Sequence, residues 1–370
     1  MEVITLSIAR NILKNDSRDR ERMRIYAKSL SEFHIVVLTR KKHGYSKEIH
    51  EGNLHIYPTN SYTRFSMLVD AYRIGVKIAK KEDSNKLVVS AQDPLEIGWT
   101  SWFISRKKKS IFHVQVHGDY FNDTWSRGSV IRKLQQKTIL KLLKKAKAIR
   151  TVSDRVKKSL AIRGIDAEKI TVLPIRPETE NFLKKEHVFN TEESITFLYV
   201  GRFAPEKDIA RILDAFTEVC KTNKGVKLKL VGTGAGEKKI KSQIKTNEID
   251  KAVEVVEWTE DIPQVMNDAD VLLLASLHES YGLVLIEAMA VGLPLITTNV
   301  GCVGEIVKDR VHGLVVNDSG VIAYACMMQE MIQNTDKRRE YGENGKKTAK
   351  SIGNKSMQEY VDAWVSSMSV

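Results

Sequence analysis

Short, largely apolar runs rich in Val, Ile and Leu recur along this chain of 370 residues, with longer stretches of helical period between them. A first series lies at 3–8, 34–39, 54–57, 86–90, 111–116, 148–152 and 170–173. A second lies at 195–200, 227–231, 253–256, 270–274, 294–297 and 313–316. A strand with one wet face alternates apolar and polar residues, whereas a strand apolar throughout must be covered on both faces, as in a parallel sheet flanked by helices. Amphipathic segments at 209–221 and 237–245 supply such helices. The alternation occurs twice, so the pattern predicts an α/β chain of two doubly wound, Rossmann-like domains.

The boundary falls within 174–193, PIRPETENFLKKEHVFNTEE, where two prolines and several charges replace apolar periodicity. The expected division is therefore a first domain over 1–175, a linker over 176–193 and a second domain over 194–354. In the last segment, 355–370, Met357, Tyr360, Val361 and Trp364 stand at i, i+3, i+4 and i+7. They form one apolar helical stripe that needs a surface to cover.

Hydrophobic residues make up 42% and charged residues 28%, ordinary values for a globular chain, so disorder is not expected. With 7 Pro and 3 Cys, collagen-like and disulfide-scaffold classes are excluded; Cys220, Cys302 and Cys326 read as reduced thiols without zinc spacing. No uncharged apolar run approaches the ~20 residues of a spanning helix, and the N-terminus shows no export signal. A cytoplasmic protein is expected.

Charge is divided unequally. Residues 1–180 carry 36 basic and 19 acidic residues, the remainder 23 and 27. Residues 101–150 alone hold 13 basic and 2 acidic ones. That asymmetry suggests an anionic partner for the first half: a membrane surface, a phosphorylated substrate or nucleic acid. In SWFISRKKKS, Trp102 and Phe103 precede Lys107, Lys108 and Lys109, which suits anionic lipid. Ile131, Leu134, Thr138 and Leu142 read as a core stripe.

The densest chemical signal is SLHESYGLVLIEA at 276–288, a strand end, a tight loop and a helix start. Backbone N–H groups of Tyr281, Gly282 and Leu283 would face an anion there. Glu279 stands just before the helix, and Glu287 lies in so apolar a stretch that its carboxylate should have a partner. In VGRFAPEKD, at 200–208, Gly201 opens a turn flanked by Arg202 and Lys207, a donor fork and a point charge that suit a diphosphate. Gly232, Gly234 and Gly236 have GxGxG spacing, not the GxGxxG of a dinucleotide loop. In the first half, His117 and Asp119 close the run IFHVQV beside Gly118. No metal motif is visible, since Asp268 and Asp270 precede their strand, and no P-loop appears.

Together these residues resemble the retaining glycosyltransferases of family 4. The resemblance implies a GT-B fold, two Rossmann-like domains facing across a cleft. It implies that Gly201, Arg202 and Lys207 contact the donor diphosphate, and that Glu279 and Glu287 are the E-x7-E pair meeting the sugar and ribose hydroxyls. His117 would approach the reacting sugar and, with Glu279, act as catalytic residue. Gly232-Thr233-Gly234, 301–305 and IRTVSDRVKKSL match further landmarks. The first βα loop, LKNDSRDRER, lacks the usual Gly-Gly turn; its Asp16 and Ser17, with Asp119, are acceptor-side candidates.

A nucleotide-diphosphate sugar is thus expected as substrate, with no cofactor and no metal. The expected acceptor is a glycan or lipid-linked molecule at the inner face of an anionic membrane, in cell-surface glycan synthesis; nucleic acid is not an expected partner. The rivals are a GT-B nucleotide-sugar epimerase or phosphorylase and, from another class, a basic nucleic-acid-binding protein.

Overall fold

Of the apolar runs in the first half, all seven become strands, and an eighth joins them at the sheet edge. They are β1 (Glu2–Ser7), β2 (Glu32–Val37), β3 (Ile49–Glu51), β4 (Leu54–Pro58), β5 (Leu87–Ala91), β6 (Ile111–Val116), β7 (Ala148–Thr151) and β8 (Ile170–Val172). Their order is β3-β4-β2-β1-β5-β6-β7-β8, parallel except where β3 runs antiparallel to β4. The short strand β3, Ile-His-Glu, is partly exposed and carries no apolar run, so nothing in its sequence announced it. Helices α1 (Arg18–Ala27), α2 (Ser66–Ala79), α3 (Glu96–Lys108), α4 (Val130–Leu143) and α5 (Asp154–Ile162) connect the strands. These elements come from a computed structural model describing residues 1–80, 86–188, 195–317, 320–354 and 356–369.

The second half begins with α6 (Glu180–Leu183) and builds a wholly parallel sheet. Its strands are β9 (Thr196–Val200), β10 (Lys227–Val231), β11 (Val253–Val256), β12 (Val271–Leu274), β13 (Leu295–Thr298) and β14 (Gly313–Val316), in the order β11-β10-β9-β12-β13-β14. Around it lie α7 (Ile209–Cys220), α8 (Glu237–Thr246), α9 (Ile262–Asn267), α10 (Leu283–Val291), α11 (Val321–Gln333) and α12 (Thr335–Gly353). Helix α7 shows why the sequence folds so. Ile209, Ile212, Leu213 and Phe216 repeat at helical spacing and pack against Phe197 and Tyr199 of β9 in one buried cluster.

Contacts divide the chain into two units, Met1–Pro174 with Ser356–Val370, and Ile175–Lys355. The returning helix α13 (Met357–Ser366) starts at a capping box of Ser356 and Glu359. Its Trp364 ring lies 4.7 Å from Tyr26 and 5.8 Å from Phe33. The Tyr360 hydroxyl accepts a hydrogen bond from buried Arg150 at 2.6 Å and donates to the Pro174 carbonyl at 3.0 Å.

Two expectations need correction. The stretch expected as a linker is docked on the second unit over its described part. The Lys185 ammonium donates to Gln264 at 2.6 Å, and His187 meets the Asn267 carbonyl at 3.1 Å. Polar contacts of this kind leave no periodicity to read. Residues 189–193 of that stretch lie outside the described residues, as do Ser194, Lys355 and Val370 at the expected domain and helix ends. The stripe expected of α4 also fails at its start. Leu142 is buried, but Ile131 and Leu134 are 73% and 64% exposed. The cysteines are free, and no described helix is long and apolar enough to cross a membrane.

Candidate active site

In the second unit β9 pairs with β10 on one side and β12 on the other, so the winding direction reverses beside β9. The loops leaving β9 and β12 are neighbours at the carboxyl edge, the place where open α/β sheets bind ligands.

The loop after β9 is held from behind. The Tyr199 hydroxyl donates to the Arg202 carbonyl at 3.0 Å. Phe203, fully buried, donates its N–H to the Thr233 carbonyl at 2.8 Å and accepts from the Gly236 N–H at 3.0 Å. A Cβ on Gly232 would stand 1.9 Å from the Gly201 carbonyl oxygen, so only glycine lets the backbones approach this closely. The glycine-rich run therefore spends its backbone groups bracing the Arg202 loop. Arg202 itself is 71% exposed and pairs with Glu206 at 2.7 Å. A single 3-10 turn, Pro205–Lys207, then aims Lys207 at Glu279.

The loop after β12 is tied to the first one, for the Leu277 N–H donates to the Glu206 carbonyl at 2.8 Å. Glu279 receives the Lys207 ammonium and, on the same oxygen, the Ser276 hydroxyl at 2.8 Å. Ser276 is anchored in turn by the Thr298 hydroxyl on its carbonyl at 2.7 Å. Gly301, at φ +57°, comes so near that a Cβ would meet the Tyr281 oxygen at 2.4 Å, and the Cys302 N–H donates to that oxygen at 2.8 Å. Buried Tyr281 and Gly282, at φ +82°, then turn the chain into α10. The first amides of an α-helix lack intrahelical acceptors and carry its positive dipole end, here at Leu283.

Glu287 is the only charge on α10, whose other residues are apolar. Burial, with Glu178 adding a like charge, pushes its carboxyl up to about 7. Among the described residues Glu287 has neither an ion pair nor a hydrogen bond. Gly201, Arg202, Lys207, Glu279, Tyr281, Gly282 and Leu283 thus gather on two linked loops, with Glu287 farther along the helix that leaves the second.

In the first unit His117 and Asp119 follow β6, and Asp16 and Ser17 follow β1, at the carboxyl ends of parallel strands. Burial, aided by the positive charges of Arg150 and Arg22, lowers His117 to about 3, so its ring is neutral near pH 7. Asp119 is buried and accepts from the Asn122 amide at 3.4 Å. Asp16 is exposed. The Ser17 hydroxyl is committed to the fold, capping α1 through the Arg20 N–H at 3.1 Å and donating to the Asn11 carbonyl at 2.6 Å.

Sequence reasoning missed Ser276, Glu206, Arg22 and Arg150. For Ser276 the spacing Ser-x-x-Glu on a loop was available as a signal; the two arginines act on His117 only through their charge, which the tertiary fold brings near. Among the described residues no group of three or more His, Cys, Asp or Glu side chains converges as a metal site.

Residues 180–348 match the family model of the glycosyl transferases group 1. The chain is 30% identical over 174 residues to an uncharacterized glycosyltransferase of Methanocaldococcus jannaschii, covering 46% of this chain and 48% of that protein. It is 28% identical over 165 residues to the UDP-Gal:alpha-D-GlcNAc-diphosphoundecaprenol alpha-1,3-galactosyltransferase of Escherichia coli, covering 41% and 42%. The chain thus spans about half the length of these curated relatives. The crystal structure of Anabaena HepE in complex with UDP and glucose matches with a TM-score of 0.76 at 16% identity, over 100% of this chain and 99% of that one. The chain has the GT-B fold, and its second unit matches the group 1 glycosyl transferases across residues 180–348.

Proposed function

We propose that this chain is a retaining glycosyltransferase that moves a sugar from a nucleotide-diphosphate sugar to a glycan or lipid-linked acceptor. The carrying observation is the convergence of the Lys207–Glu279 pair, exposed Arg202 and the α10 N-terminus on two loops at the reversal point of the second sheet. Breaking a sugar–phosphate bond builds positive charge on the ring and negative charge on the departing diphosphate. Arg202, Lys207 and the amides at Gly282 and Leu283 stabilise that leaving group as a fixed field, often the largest catalytic contribution. They do so without a metal ion. In taking Lys207, the diphosphate frees a Glu279 oxygen, still oriented by Ser276, to accept from sugar hydroxyls. Glu287, without a hydrogen bond or ion pair among the described residues, receives the ribose hydroxyls. The leaving phosphate takes the acceptor's proton, so no protein base is assigned. His117 is assigned to the reacting sugar, and Asp119, Asp16 and Ser17 to the acceptor.

The E. coli relative acts, by its name, on a diphosphoundecaprenol acceptor. That name and the basic first half support a lipid-linked acceptor, peripheral attachment to the inner face of an anionic membrane, and a place in cell-surface glycan synthesis. The relatives' names favour transfer over epimerisation, phosphorolysis or nucleic-acid binding. A thermal-shift series with UDP, GDP and their sugars tests the reading. One nucleotide series should raise the melting temperature of the wild type by several degrees, and Arg202→Ala should lose most of that shift. Equal shifts in both proteins would remove Arg202 from the donor site.

A further inference from the structure

Helix α4 departs from the patterning of a surface helix. Its core contacts come late, from Ile139, Leu142 and Leu143. In its first turns Val130 is 82% exposed, Ile131 73% and Leu134 64%. Meanwhile Gln135 and Gln136 are half-buried, and the Gln136 amide donates to the Tyr120 carbonyl at 2.7 Å. Apolar side chains thus face outward while glutamines face inward, the reverse of what water favours.

The end is nonetheless built, not frayed. Ser129 caps it through the Arg132 N–H at 3.3 Å. The Arg132 guanidinium donates to the Trp125 carbonyl at 2.8 Å and lies over the Trp125 ring at 5.4 Å, and that ring meets Tyr120 edge-on. Its own charges, and those that follow it up to β7, are of one sign, although the loop before it carries Asp119 and exposed Asp123. Arg127, Lys133, Lys137 and Lys141 are exposed, and residues 124–153 contain no Asp or Glu. Because α4 is the crossover that follows β6, its first turn lies toward the same sheet edge as His117.

We propose that Val130, Ile131 and Leu134 form a membrane-docking tip, seated in an anionic bilayer surface and flanked by Arg127, Lys133 and Lys137. This rests on the proposed reading in which the acceptor is lipid-linked, and names the surface that meets the lipid. Charge complementarity selects an anionic surface, and the aliphatic tip selects lipid over nucleic acid. Phosphates in a duplex would engage the lysines but give three aliphatic side chains nothing to enter. The tip, and not the Lys107–Lys109 cluster, sits at the acceptor-side edge.

The test is co-sedimentation of the full chain with phosphatidylcholine vesicles, with and without phosphatidylglycerol. The wild type should pellet only with the phosphatidylglycerol vesicles. The triple variant Val130→Ser, Ile131→Asn, Leu134→Gln should lose about tenfold in partition, with an unchanged melting temperature because all three sites are exposed. A Lys107→Gln, Lys108→Gln, Lys109→Gln variant should keep most of its binding. A wild type that ignores anionic vesicles at low salt overturns the proposal, as does a triple variant that pellets like wild type. Duplex DNA binding that the triple variant loses, with vesicle partition intact, overturns it too. Nucleotide-induced thermal shifts on the same proteins read the donor site separately, so failure of the transferase reading shows there and not in the vesicle result.

Discussion

Helices α10 and α4 both start at the carboxyl edge of a parallel sheet, and both break the usual sorting of apolar from polar residues, in opposite directions. Helix α10 buries six of its nine residues and carries a single carboxylate, Glu287, into that apolar setting. Helix α4 buries three of fourteen and holds its first aliphatic side chains out to water. In the first case a charge is kept where solvation is poor, which costs stability and suits a ligand that brings hydroxyl groups. In the second case apolar area is left wet, which suits a surface that removes it from water. Such local violations mark places where a protein gives up stability for a task.

The sharpest break concerns the loop entering α10. Glu279→Ala should lower turnover about 100- to 1000-fold with the fold intact, measured as nucleoside diphosphate released on adding acceptor. Near-wild-type turnover would leave that loop as scaffold, and the contrast with α4 would lose its functional half. Next comes packing. Leu285→Ala, at a fully buried site of α10, should cost about 2–5 kcal/mol in denaturant unfolding. Leu134→Ala on α4 should stay within about 0.5 kcal/mol. Comparable losses would mean that the α4 tip is covered after all.

The last effect is a pH-dependent one. Because Glu287 is raised to about 7 from an ordinary carboxyl value near 4.5, the folded state holds its proton longer than the unfolded chain does. No penalty falls below pH 4.5; it accrues up to pH 7 and persists above. Glu287→Gln should therefore stabilise the protein by about 3 kcal/mol at pH 8 and by almost nothing at pH 4.5, while weakening the nucleotide-induced shift. A stability gain independent of pH would assign the effect to packing.

Much of this architecture was legible in residues alone. The runs 111–116, 227–231, 253–256 and 313–316 became strands with those same ends, because their Val, Ile and Leu residues fill sheets covered by helices, while Lys227 and Glu254 are exposed on β10 and β11. The pairing of Lys207 with Glu279 was not legible, although both residues were singled out, since it depends on β9 and β12 lying side by side. Nor was the bracing role of Gly232, which follows from a backbone approach that no spacing encodes. The α4 stripe misled because Ile131, Leu134 and Leu142 repeat at helical spacing wherever the helix axis points. Periodicity tells which residues share a face and not where the core ends.

The return of α13 to the first unit has a consequence for how the chain is made. A ribosome releases residues 1–174 long before Trp364 exists to fill its place between Tyr26 and Phe33. At about 5–20 residues per second, the intervening stretch Ile175–Lys355 takes on the order of 10–30 s to emerge. For that interval the half translated first waits, with an apolar seat unfilled, on the half translated second.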